Sequence, residues 1–230
     1  MALADRLDAF QRTYPYRETV VEGAVWHYRM GGVKNASTVL VLPGATLVPD
    51  PFFVVIESLG GRYQVIAPAY PPARSMAELV AGVTAILDAE RIPSAHVVGS
   101  SFGGYIAQCL VRAHPERVKT LVLAQTGVRH FVGAAPLTVM RWLLQASPAP
   151  VVRWFMWRTW RVLLADLGAD QRFWTGLLRN ILETQLSKAN LIAMTAAIAD
   201  FTAHYRPRSE DRSGRPVLVL QSERDRAFGA

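Results

Sequence analysis

Short runs of β-branched and aliphatic residues alternate along the chain with longer stretches whose apolar positions recur every three or four residues. The runs are TVLVL at 38–42, YQVIA at 63–67, AHVV at 95–98, VKTLVL at 118–123 and PVLVL at 216–220. Each contains consecutive apolar residues rather than apolar residues at alternate positions alone, as strands buried on both faces require. They predict a parallel sheet covered by helices. Ahead of them, ETVVEGAVWHYRMGG reads as an antiparallel hairpin turning at Gly23. Between strands, Asp50 and Pro51 open a helix through FFVVIESL that Gly60 closes. Ser75 and Glu78 form a capping box for the next helix, whose apolar face is Met76, Leu79, Val80, Val83, Ile86 and Leu87. Pro93 prevents it from continuing.

From residue 129 to 204 the alternation stops and the pattern is nearly all helical, broken by ASPAP at 146–150 and by Gly168. Strand character returns at Pro216, after the polar loop RPRSEDRSGRP. The fold class expected is therefore α/β, a mostly parallel, doubly wound sheet with an inserted helical cap. Residues 1–128 and 205–230 would form the core and 129–204 the cap. No internal repeat is visible.

Composition narrows the picture. A chain of 230 residues, 51% hydrophobic, can bury one sizeable core. The formal charge of +7 comes from three lysines and 22 arginines dispersed along the sequence. Dispersed arginine does not make a phosphate-binding face, so no nucleic-acid partner is expected. The lone Cys109 lies in an apolar helical run and reads as a small buried residue, which fits a cytoplasmic location. The N-terminus MALADRLDAFQRTYPYRE lacks the basic end and apolar run of a secretory signal, and no 18-residue apolar stretch occurs, so a soluble protein is expected.

The candidate chemistry lies in HVVGSSFGGYIAQ, residues 96–108, where a strand runs through a glycine-ringed serine into a helix. Gly99, Ser101 and Gly103 satisfy G-x-S-x-G, a turn that exposes a serine hydroxyl and needs small residues two before and two after it. Ser100 would be flanked by Val98 and Phe102, so Ser101 is the candidate nucleophile. It precedes a helix beginning near Phe102, whose free N–H groups favour negative charge.

ILDAERIPSAHVVGSSFGGYIAQCLVRAHPERVKTLVLAQTG, residues 86–127, resembles the centre of an α/β-hydrolase of the serine-nucleophile branch, and the order of elements follows that fold along nearly the whole chain. The resemblance implies an oxyanion hole made by the N–H of Phe102 and one from the loop LPGAT at 42–46. Most relatives have His-Gly where this chain has Pro43-Gly44, so the second donor carries over by position to Ala45. The LP departure and its pairing with VIAPAYP, Val65 to Pro71, resemble the maspardin-like branch, some members of which are thought to bind partners rather than hydrolyse. The acid carries over to Asp225, in PVLVLQSERD. The resemblance also calls for a histidine, an eighth strand and a final helix after that acid, and none follows Asp225 in the sequence. His130, shortly after the sixth strand, is the candidate substitute base on the correct rim, with loop or cap packing as the alternative; His27, His96, His114 and His204 are assigned elsewhere. Without its base, such a site is expected to retain what oxyanion donors supply, on the order of 10³ to 10⁴ over water. An unpaired seventh strand makes a homodimer an expectation too.

Five of the six tryptophans, Trp142, Trp154, Trp157, Trp160 and Trp174, fall in the cap. In VVRWFMWRTWRVLL, Arg153, Arg158 and Arg161 gather toward one side, with Val152, Phe155, Val162 and Leu163 toward the other, which reads either as a basic helix on a membrane surface or as a lid, aromatic inside and arginine outside. The lid is the expectation, and membrane contact is not. The function expected is carboxylesterase-like hydrolysis of a small to medium hydrophobic ester or related acyl substrate, without cofactor or metal. The rival is a non-catalytic binding or adaptor protein of the same fold. A serine nucleophile argues against epoxide and haloalkane hydrolysis, which this fold performs with a carboxylate.

Overall fold

The computed structural model of the chain describes residues 2–127, 133–164, 168–206 and 214–222. The hairpin is β1 (Tyr16–Val21) and β2 (Ala24–Gly32), joined at Glu22 and Gly23, whose φ values of 49° and 82° are those of a tight two-residue hairpin turn. The remaining strands are β3 (Thr38–Leu42), β4 (Gln64–Ala69), β5 (Ala95–Ser100), β6 (Val118–Ala124) and β7 (Val217–Leu220). They form one seven-stranded sheet in the order β1-β2-β4-β3-β5-β6-β7, parallel from β4 to β7 and antiparallel at β1–β2 and β2–β4.

Helices cover both faces, which explains the continuous apolar runs. On one face, Val39, Val41, Val65 and Ala67 meet Phe10 and Tyr14, and Phe53 and Ile56 of α2 (Phe53–Gly60). Phe10 belongs to α1 (Leu3–Thr13), a helix ahead of the hairpin that the sequence reading does not include. On the other face, Leu40, Leu42, Ile66 and Val97 pack beneath α3 (Met76–Ala89) and α4 (Phe102–Ala113). Ser75 caps α3, its Oγ accepting from the Glu78 N–H at 3.2 Å.

Asp50 departs from its expected role as a helix opener. It starts a single 3-10 turn ahead of α2, and its carboxylate turns inward rather than capping. There it pairs with Arg29 at 3.0 Å and accepts from Gln11 Nε2 at 2.8 Å and Tyr16 OH at 3.0 Å. Arg29 also donates to Tyr14 O at 2.7 Å and stacks over the Tyr16 ring at 4.0 Å. Both charges are buried. The network ties α1, β1 and β2 to the loop leaving β3.

Between β6 and β7 lie α5 (Ala134–Ala146), α6 (Ala149–Leu163), α7 (Gln171–Thr184) and α8 (Lys188–His204). The last of these is rooted in the core: Phe201 stacks on Tyr105 at 4.3 Å, and Asp200 accepts from the Met76 N–H at 2.9 Å. α7 reaches the other face of the sheet, setting Phe173 and Trp174 against Phe53. The lid picture needs correction in one respect. Trp160 is buried, but Trp142 and Trp154 are 63% and 62% exposed. α6 spends its inward face on Val152 and Trp160, so the stripe through Val151, Trp154 and Phe155 is left facing outward. No helix among the described residues is long and apolar enough to cross a membrane.

β7 has one neighbour among the described residues, β6, and its Val217, Leu218, Val219 and Leu220 are all exposed.

Candidate active site

The sheet delivers Ser101 to the junction of β5 and α4 with φ 50° and ψ −117°, a conformation that L residues rarely hold. Neighbouring glycines make the turn sterically feasible. A Cβ on Gly99 would lie 2.6 Å from Gly103 O and 2.8 Å from the Ala107 Cβ. One on Gly103 would collide with Leu42 O and approach Pro43 O at 2.6 Å. One on Gly104 would collide with the Thr126 side chain. The ends of β3 and β6 can therefore close on the turn only because these positions are bare.

Hydrogen bonds then hold it. Ser101 N–H donates to Ala124 O at 2.9 Å, and Ser101 O accepts from Gly104 N–H and Thr126 Oγ1, each at 2.9 Å. Gln108 Nε2 links Gly104 O to Gly127 O. Gly104, Gln108 and Thr126 are not among the residues that the sequence singled out. The second glycine of the Gly103-Gly104 pair is the signal that could have found Gly104, since one glycine satisfies the motif.

The loop after β3 runs alongside the serine. A Cβ built on Gly44 would stand 3.3 Å from the Ser101 Cβ and 3.9 Å from its Oγ. Among the described residues, no backbone acceptor takes the Ala45 N–H or the Phe102 N–H. These two amides are therefore available to a ligand oxygen, at the end of a helix whose dipole favours negative charge.

Tyr70 braces this loop. Its buried hydroxyl donates to Pro43 O at 3.2 Å, its N–H donates to Leu47 O at 2.9 Å, and its ring lies edge-on to Phe102 at 6.0 Å. Burial raises its pKa well above the usual phenol value, so the hydroxyl stays a donor. From α8, Asn190 Nδ2 donates to Tyr70 O at 3.3 Å, which connects the helical insertion to the loop. The tyrosine of VIAPAYP at 65–71 thus holds the carbonyl of LP at 42–43.

Asp225 and His130 lie outside the described residues. The other four histidines are placed, and none hydrogen-bonds Ser101. His27 is exposed on β2. His96 bonds Thr120 Oγ1 at 2.8 Å near the start of β5, roughly 16 Å along the strand from the turn. Burial and nearby Lys119 lower its pKa. His114 follows the far end of α4, roughly 18 Å from its start. His204 ends α8, where its ring meets Asp200 at 2.8 Å. Cys109, also on α4, is half-buried rather than buried, and its thiol is pushed up to about 12 by desolvation. No group of three or more His, Cys, Asp or Glu that could hold a metal gathers among the described residues.

A sequence model of the alpha/beta hydrolase fold matches residues 37–230. Maspardin of Danio rerio is 29% identical over 124 residues, which is 51% of this chain and 40% of that protein; human maspardin is 30% identical over the same length. The chain thus spans about 40% of the length of these curated relatives. Among solved structures, a hydrolase from Pseudomonas aeruginosa superposes with a TM-score of 0.76 at 21% identity, over 94% of this chain and 83% of that one. An enol-lactonase from Burkholderia xenovorans superposes with a TM-score of 0.67 at 14% identity, over 89% and 91%. At these identities the two structures speak to the fold alone.

Proposed function

The chain belongs to the alpha/beta hydrolase fold family, and from that footing we propose that it is a serine hydrolase in which Ser101 Oγ attacks the carbonyl of a hydrophobic ester or related acyl compound. The carbonyl oxygen takes negative charge as the bond forms, and the Phe102 and Ala45 N–H groups receive it. The serine proton passes to an imidazole, which returns it to the leaving alcohol; water then cleaves the acyl-enzyme by the reverse sequence. For that imidazole this sequence offers His130, and for the carboxylate that would orient it Asp225. The substrate in this reading carries a small to medium apolar acyl or alcohol group, and a cytoplasmic setting accompanies the reading. One observation carries it: a serine held at φ 50° beside two amides without a backbone acceptor.

A second reading, a non-catalytic binding or adaptor protein, is favoured by the absence of any hydrogen bond from the four described histidines to Ser101. Labelling with a fluorophosphonate separates the two. A hydrolase labels at Ser101, Ser101→Ala abolishes the signal, and short-chain p-nitrophenyl esters turn over; His130→Ala slows both if that ring is the base. A folded sample inert to probe and esters would leave the binding reading standing.

A further inference from the structure

The α5–α6 hairpin presents a surface that hydrolysis at Ser101 does not use. Its two helices flank an apolar groove of about 580 Å³ whose walls include Val139, Leu143, Val151, Trp154 and Phe155. All five side chains are exposed, and Trp142 stands beside them on α5. Trp154 also borders a neighbouring hollow formed with Trp157, Arg158 and Arg161.

The order along α6 is informative. Val151, Trp154, Phe155, Arg158 and Arg161 share one stripe at helical spacing. The apolar members sit nearest the turn at Ser147 and Pro148, and the two arginines follow roughly 6 and 10 Å beyond Trp154. Residues 133–164 contain four arginines and no aspartate or glutamate. Among the described residues no carboxylate pairs with Arg158 or Arg161. The nearby Glu183, on α7, is taken by Arg179 at 3.0 Å.

We propose that this hairpin docks the protein on an anionic lipid bilayer, its apolar tip entering the interface while Arg158 and Arg161 meet the phosphates. Tryptophan at the boundary and arginine behind it is the arrangement that a water–lipid interface stabilises. A second copy of the chain suits the surface less well, because a two-fold contact would bring two acid-free, arginine-bearing hairpins together. A lid with its aromatic side chains turned inward would leave no apolar face for a membrane. The exposure of Trp142 and Trp154 removes that premise.

Flotation with vesicles tests the proposal on the full chain. Vesicles of phosphatidylcholine and phosphatidylglycerol at 3:1 are expected to bind at least ten-fold more tightly than phosphatidylcholine alone, and brominated lipid to quench tryptophan emission, less so in Trp154→Phe. Each arginine at such a surface contributes roughly five-fold, so Arg158→Gln with Arg161→Gln weakens binding roughly 30-fold. Leu143→Ser with Trp154→Ser abolishes it, and Ser101→Ala leaves it unchanged, so lipid docking stands or falls apart from hydrolysis. Failure of the wild-type chain to float on either vesicle overturns the proposal, as does flotation insensitive to the Leu143/Trp154 pair. A concentration-dependent dimer in sedimentation, dissolved by that pair and without flotation, would assign the surface to a second copy instead.

Discussion

Replacing Asp50 with alanine probes the buried network most directly. The substitution removes the acceptor of four hydrogen bonds, from Gln11 Nε2, Tyr16 OH and Arg29 Nη2 and Nε, and leaves the Arg29 guanidinium, 6% exposed, without its counter-charge. Breaking a buried pair from one side costs about 3–5 kcal/mol, because the surviving ion remains desolvated. For a chain of this length each kcal/mol moves Tm by roughly 2–4 °C, so a fall of roughly 6–20 °C is expected. Asp50→Leu combined with Arg29→Met removes both charges and keeps apolar volume. It should recover much of the loss, though not all, since the stacking on Tyr16 and the bond to Tyr14 O go with the guanidinium. The assay is urea unfolding followed by both tryptophan fluorescence and circular dichroism, with coincident midpoints required before free energies are compared. A loss under about 1 kcal/mol for Asp50→Ala, or a double variant no better than the single, would refute the reasoning, because either result means water already reaches the pair.

Two further predictions rest on the site and its helix. Tyr70→Phe strips the hydroxyl from Pro43 O and should cost about 1–3 kcal/mol for the stranded carbonyl, while slowing fluorophosphonate labelling of Ser101 more than it changes far-ultraviolet dichroism. With its thiol pushed up to about 12, Cys109 should alkylate at pH 8 roughly three orders of magnitude more slowly than a free cysteine of pKa about 8.5, and reach the ordinary rate in urea; rapid labelling of the folded chain would contradict the burial.

The strands and the serine turn were legible because their signals are local. Val39 to Leu42 and Val65 to Ala67 are apolar without interruption since both faces are covered, and Gly99, Ser101 and Gly103 lie within five residues. What escaped was non-local or depended on which faces find cover. Arg29 and Asp50 are 21 positions apart, and nothing in either neighbourhood announces the other. The Tyr70–Pro43 bond surfaced only as an unexplained pairing of two segments. α1 was missed because Phe10 is its one fully buried side chain, too little to mark a period. In α6, spacing gathers the arginines on one side and sets Phe155 with Val152 on the other, but spacing alone does not say which side meets solvent, and Phe155 is exposed beside Val151 and Trp154.

The backbone angle at Ser101 has a bearing on how variants of this protein would be selected. A non-glycine residue at φ 50° and ψ −117° carries a conformational cost of order 1–3 kcal/mol, which glycine would largely escape. A library sorted only for expression yield or heat resistance is therefore pulled toward glycine at this codon, and its winners would shed the hydroxyl without any warning from the sort. Screens on this scaffold should hold position 101 constant or score acyl transfer in the same round.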